Sequence, residues 1–186
     1  MELFPELEIG WLNGWLLIAL LYLTYSILLK VFPKGMVARL YDRTGRRKMH
    51  KIHILIGSLL AFVYFGLVIF SPLRIGSVIL VPGLIIFIFS LVGFVAALFN
   101  FKNTPLNRPA TDGLYRISRH PQQLMFFVTF IGIDIAIGSW IVLFIQLLSS
   151  IFLHSRVLAE ENACLEKYGE AYRDYMNQVP RYLLFF

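Results

Sequence analysis

The residues best placed to do chemistry lie in the passage 111–121, Thr-Asp-Gly-Leu-Tyr-Arg-Ile-Ser-Arg-His-Pro, a polar island between two apolar segments. Arg116, Arg119 and His120 run up to Pro121, and the chain turns apolar again at Leu124. A proline in that position reads as the first residue of a helix, with His120 as its cap. Unpaired backbone N–H groups, the positive end of the helix dipole and two arginines together suit a carboxylate or a phosphate.

A second group lies further along. In 155–178, Leu158, Leu165, Tyr168, Tyr172, Tyr175 and Val179 recur at helical spacing once position 161 is included, and position 161 is a glutamate. Glu161, rather than its neighbour Glu160, therefore falls on the inward stripe, where an ionised carboxylate needs a partner. A structural ion pair with Arg119 or Arg116 is the competing use of that carboxylate. With Tyr115, Tyr168 and Tyr172 between the two groups, the arrangement suits a ligand carrying an anion, hydroxyls and a cation. S-adenosylmethionine offers all three, and NADPH fits the arginines and aromatics nearly as well.

The elements that must position these groups are set by composition. Of 186 residues, 58% are hydrophobic, above the 45–50% usual for soluble domains, and the chain reads as an all-α integral membrane protein. Its net charge of +6 comes from basic residues that flank apolar segments rather than form one face, so it speaks for topology and against nucleic acid. The single cysteine, Cys164, excludes an internal disulfide and a Cys-x-x-Cys metal site, and the acidic Glu2, Glu6 and Glu8 do not resemble a secretory n-region.

Five transmembrane segments are predicted. The first is 10–29, the second 53–70, and the third 75–99 with a bend at Pro82 and Gly83; a tight turn at 71–74, marked by Pro72, joins the last two. The stretch 124–153 would reach about 45 Å as one helix, too long for one crossing, and Gly132, Asp134, Gly138 and Ser139 favour a helical hairpin turning near Gly138. Five segments place all of the 17 lysines and arginines except Arg74 on one side, which the positive-inside rule makes cytoplasmic. The N-terminus is then outside and the C-terminus, with a cytoplasmic C-terminal helix, inside. The hairpin brings Glu161 back to His120. The whole of 1–186 is read as one membrane domain, with a three-helix part (10–99) and a catalytic and cofactor-binding part (100–186).

Thr111-x-Gly113-x-Tyr115-x-x-x-Arg119-His120-Pro121, the pair Glu160-Glu161, and Tyr168-Gly169-x-x-Tyr172-x-x-Tyr175 with Val179-Pro180 resemble the C-terminal half of the isoprenylcysteine carboxyl methyltransferase family and its relatives, the membrane phospholipid methyltransferases. The resemblance covers roughly 100–182. It implies S-adenosyl-L-methionine as cofactor and methyl transfer to a lipophilic substrate entering from the bilayer, most simply a carboxylate of the isoprenylcysteine type, in a plasma-membrane enzyme if the source is prokaryotic. By position it implies a cofactor pocket of Asn100, Asn107, Arg108, Pro109, Ala110, Tyr115, Arg119, His120, Pro121, Gln122, Gln123 and Glu161, with no metal. Arg156 would hold the substrate, and Glu160 or His154 would take a proton if the acceptor were an amine or phenol. Two departures from the family pattern are Gln123, where a tyrosine is usual, and Met125, where a glycine is usual.

Other readings compete. Sterol-type reductases using NADPH carry a related Arg-His-Pro element, and a non-enzymatic scaffold binding lipid head groups is a third reading. His50 and His53 read as interfacial rather than metal-binding, and Asp134 as a polar residue near a hairpin tip that reaches water. Tyr168, Tyr175 and Tyr182 suit either an interfacial belt or a pocket wall, while Tyr172 suits the pocket. Ser90, Gly93, Ala96 and Ala97 read as small residues that let helices approach.

Overall fold

The computed structural model describes residues 1–45 and 50–183. Arg46, Arg47 and Lys48 of the basic cluster, with the last three residues, lie outside the described part. Seven α-helices occur among the described residues: α1 (Trp15–Val31), α2 (Lys34–Tyr41), α3 (Lys51–Phe70), α4 (Leu80–Lys102), α5 (Pro121–Ile137), α6 (Trp140–Tyr168) and α7 (Glu170–Gln178). A single 3-10 turn, Gly113–Arg116, precedes α5. Two isolated bridges, Glu2 with Ser139 and Asn13 with Pro72, are the only β pairing described.

Helices α3, α4 and α6 are long and apolar enough to cross a membrane, while α1 and α5 are apolar but only 17 residues each. At 1.5 Å per residue, 17 residues reach about 25 Å, short of a ~30 Å hydrocarbon core. Large apolar side chains point outward on several helices, among them Leu23 and Ile27 on α1, Leu55 and Phe62 on α3, Ile85 and Phe89 on α4, and Phe144 and Ile151 on α6. Such a surface is stable against lipid and not against water.

Helices α4 and α5 pack so closely that their backbones meet. A Cβ at Gly132 would lie 2.6 Å from the Phe87 nitrogen, and one at Gly83 would lie 2.6 Å from that of Ala136. Met125 lies over Gly93, with its sulfur 2.7 Å from where a Cβ would be, so the bulk at position 125 is matched by an absence of bulk on α4. Ser90 and Ala97 are fully buried, Ser90 turning its hydroxyl onto the Ile86 carbonyl.

The hairpin expected near Gly138 is present. Gly138 closes α5 at φ 75°, a conformation that favours glycine, and Ser139 opens α6. The N-terminal segment stitches this tip: Glu2 N–H donates to the Gly138 carbonyl, Trp140 N–H to Glu2, and Ile141 N–H to Leu3, while Arg74 pairs with Glu2. The loop before α4 reaches the same end, Arg74 N–H donating to the Ala136 carbonyl.

Four boundaries differ from the sequence reading. The first helix begins at Trp15 rather than position 10, because Asn13 turns its amide onto the Glu8 carbonyl and Gly14 bonds back to Ser71. The third apolar helix begins at Leu80 rather than 75, after turns through Gly76 at φ 80°. Pro82 therefore sits in the first turn of α4, where its missing N–H costs no helix bond, and marks a helix start instead of a bend. The separate C-terminal helix expected from 155 is the continuation of α6, since no glycine or proline interrupts the chain between Gly138 and Gly169. Finally, α2 was not expected; Phe32 and Pro33 end α1 and turn the chain into it.

Candidate functional site

The first turn of α5 is built as the sequence suggests, with His120 as N-cap and Pro121 at N1. Asn100 positions the passage leading to it: its side-chain oxygen accepts from Leu114 N–H at 2.9 Å, and it lies so close beneath Gly113 (φ 63°) that a Cβ there would fall 2.3 Å from it. This fastens the 3-10 turn carrying Tyr115 to the end of α4. Gln122 then donates to the Tyr115 hydroxyl at 2.9 Å, and the Tyr175 hydroxyl donates to the Tyr115 carbonyl at 2.6 Å.

Glu161 is the centre of the buried polar chemistry. Only 2% exposed, it accepts from Arg119 Nε at 2.9 Å and lies 3.2 Å from His120 Nε2 through one oxygen; the other takes Arg181 Nε at 3.0 Å and a terminal nitrogen of the same guanidinium at 2.8 Å. Arg119 also donates through Nη1 to the Met176 and Val179 carbonyls. The ion pair considered for Glu161 forms with Arg119, while Arg116 pairs with exposed Asp112. The hydrogen bonds to Glu161 hold the Arg181 guanidinium above its usual range.

Arg181 had not been expected. It belongs to a strap, 179–182, laid across the start of α5: Arg119 N–H donates to the Pro180 carbonyl, the Ser118 hydroxyl to that of Arg181, and the Tyr182 hydroxyl lies 3.2 Å from His154 Nδ1. The predicted stripe is occupied as expected at Tyr172, Tyr175 and Val179, all buried, but Leu158 is 39% exposed and Val157 takes its inward place.

Above this cluster lies a polar cleft. Of the residues expected around a cofactor, Pro109, Ala110, Tyr115, Arg119, His120, Gln122 and Gln123 line it, and so does Glu160. Tyr168, Tyr172, Tyr175 and the half-buried Cys164 line it as well. Burial pushes the phenols of Tyr115, Tyr172 and Tyr175 well up, so they stay neutral hydrogen-bonding groups. Asn107 and Arg108 are exposed on the loop beside the cleft, Pro121 is buried under the first turn, and Glu161 sits beneath rather than in the cleft. Lys167 and Asp42, bridged at 3.4 Å, border the opening.

Two apolar cavities adjoin the site within the bundle. One, between α1, α4, α5 and α6, is lined by Leu21, Tyr22, Tyr25, Phe94, Leu98, Phe126 and Leu153, and also by Gln122 and Gln123. These two glutamines thus border the polar cleft on one side and the apolar cavity on the other. Gln123 further donates to Glu160 at 3.3 Å. The other cavity, between α3, α5 and α6, shares Phe126 and Leu153 with the first and holds Arg156. The structure therefore separates the three expected catalytic residues: Glu160 is at the cleft, His154 under the strap, and Arg156 on the second apolar cavity.

Part of the chain that builds this arrangement, including the helix start and the buried glutamate, is similar to known proteins. The family model for phospholipid methyltransferase matches residues 99–171. The similarity is to methyltransferases. The protein-S-isoprenylcysteine O-methyltransferase of Schizosaccharomyces pombe (strain 972 / ATCC 24843) is 31% identical over 71 residues, 38% of this chain and 30% of that protein. The aligned part thus spans under a third of that methyltransferase's length. The family segment covers the end of α4, the Arg-His-Pro passage, α5, α6 and the turn into α7; it includes His120 and Glu161 and stops short of Arg181.

Proposed function

We propose that the protein transfers a methyl group from S-adenosylmethionine to a lipophilic acceptor that reaches the site from the bilayer. The observation that carries this reading is the double lining of Gln122 and Gln123, which lets a polar donor in the cleft and an apolar acceptor in the bundle meet at one turn of α5. The cleft suits such a cofactor. Backbone N–H groups at the start of α5 have no acceptor within the helix and fit its carboxylate, Tyr115 and Tyr172 offer faces to a sulfonium, and Glu160 is an acceptor for its ammonium or ribose hydroxyls.

When bound, S-adenosylmethionine supplies an electrophilic methyl group on a positively charged sulfur. The protein's contribution is alignment and dryness. Glu161 is too fully engaged to serve as a base; it fixes Arg119 and His120, and with them the angle at which α5 begins. Gln122 and Gln123 stand where the cleft meets the apolar cavity, and Glu160 accepts from Gln123 on the cleft side. A carboxylate acceptor of the isoprenylcysteine type needs no base, and Arg156 on the adjoining cavity is the cation available to hold it. A nitrogen acceptor would pass its proton to Glu160.

The positive-inside tendency puts the end bearing the cleft in the cytoplasm, leaving Arg74 and the Gly138 tip outside. Calorimetric titration of the detergent-purified protein with S-adenosylhomocysteine, and separately with NADPH, tests the reading. Binding of S-adenosylhomocysteine is expected; binding of NADPH alone would replace this reading with a reductase.

A further inference from the structure

The chain from 103 to 112 contains Pro105 and Pro109, makes no helix, and yet supplies Pro109 and Ala110 to the cleft wall. Ordering such a segment costs backbone entropy that its own contacts must offset. Within it, Arg108 N–H reaches the Pro105 carbonyl. Its first residues bond back to α4, Thr104 N–H to the Phe101 carbonyl and the Thr104 hydroxyl to that of Asn100, and the loop's own carbonyls are gathered by one side chain on α2. Arg39 donates through one terminal nitrogen to the Thr104 carbonyl at 3.3 Å and the Pro105 carbonyl at 3.0 Å, and through the other to the Arg108 carbonyl at 2.6 Å.

The same guanidinium lies over the Phe101 ring, 4.7 Å from its centroid, and Phe101 in turn neighbours Tyr115 at 6.4 Å. Arg39 also lines the cleft. Three carbonyls gathered from both sides of a turn need two nitrogens held in a plane, and a planar cation stacks on a ring; both requirements fit arginine and not lysine.

We propose that Arg39 is a positioning residue for the cofactor: it clamps the 103–110 loop so that Pro109 and Ala110 form the cleft wall, and thereby sets cofactor affinity rather than the rate of methyl transfer. Arg39 lies sixty residues before the family segment begins, so the N-terminal half contributes to the site through it. The inference rests on the cofactor reading above. The three carbonyls that Arg39 meets all belong to the loop, at Thr104, Pro105 and Arg108, so the group that it sets is the wall, not the junction at Gln122 and Gln123.

The test compares wild type with Arg39→Lys and Arg39→Ala in detergent, reading S-adenosylhomocysteine affinity by calorimetry and amide hydrogen exchange of 103–110 by mass spectrometry. Both variants are expected to bind roughly tenfold or more weakly and to exchange faster in that loop, with the helices unchanged, because charge without the fork cannot hold three carbonyls. Where turnover is measured, KM for the cofactor should rise with kcat at saturation preserved. Wild-type affinity or wild-type loop exchange in Arg39→Lys would overturn the proposal, as would a fall in kcat with KM unchanged. If Arg39→Ala does not fold, the lysine variant alone decides. Failure of the wild type to bind S-adenosylhomocysteine would instead remove the cofactor reading, and the proposal with it.

Discussion

Two carboxylates are buried against α5, one at each end, and they are treated oppositely. Glu161, packed against the helix start, meets Arg119, His120 and Arg181 and leaves neither oxygen idle. Asp134, fully buried one turn before the helix ends, accepts a single hydrogen bond from Tyr64 at 2.7 Å, and its second oxygen has no partner among the described residues. Both leave water, but only Glu161 is given cations. The one arginine at the far end, Arg74, is turned to Glu2. The contrast separates an ionic hub, which several parts of the chain must meet to satisfy, from a polar link between two neighbouring helices. Only the first can set the geometry of a ligand site.

Removing the hub should have the largest effect. Glu161→Ala leaves Arg119 buried without its carboxylate, at an expected cost of about 3–5 kcal/mol, and should abolish S-adenosylhomocysteine binding. Glu160→Ala, which leaves the cluster whole, should only weaken it. Thermal melts and calorimetry in detergent would show this, and a reversed order would mean that the cleft rather than the hub carries the site. At the other end, Gly138→Ala meets both a positive φ and the Ile79 side chain 2.5 Å from the new Cβ. It should lower stability by roughly 1–3 kcal/mol while leaving the affinity of the folded protein unchanged. Smallest of all, Asp134→Asn keeps an acceptor for Tyr64 and should shift the melt by no more than about 1 kcal/mol. A loss of ligand binding in that variant would erase the distinction between the two ends.

What could be read in advance follows the same divide. Pro121, Gly138 and the inward phase of Glu161 were legible because each leaves a residue-type signature: a proline fits a helix start, a glycine fits a positive φ, and a charged residue on an apolar stripe needs a partner. The strap was not, because Arg119 is met there by the carbonyls of Met176, Val179 and Pro180, and a carbonyl looks alike in every residue. Arg39 hid for the same reason, since its partners are backbone oxygens some 65 positions away and its own neighbourhood reads as one more basic loop. Asp134 was expected to reach water near the hairpin tip; it is instead sealed by the close packing around Phe130 and Ile133, which no local pattern announces.

Helix α6 runs unbroken for 29 residues, from the hairpin tip through the apolar layer to Glu160, Glu161 and Lys167. At 1.5 Å per residue this is a rod of about 43 Å. A rod has no joint at which the membrane portion can move alone, so its tilt in the bilayer and the place of Glu160 beside Gln123 are one mechanical variable. Where thinner or thicker lipid changes that tilt by about 10° around the rod's middle, each end travels on the order of 4 Å, more than the length of a hydrogen bond. The bilayer is in this sense part of the site's mechanics, and its thickness acts as a tuning parameter on the meeting of cleft and cavity.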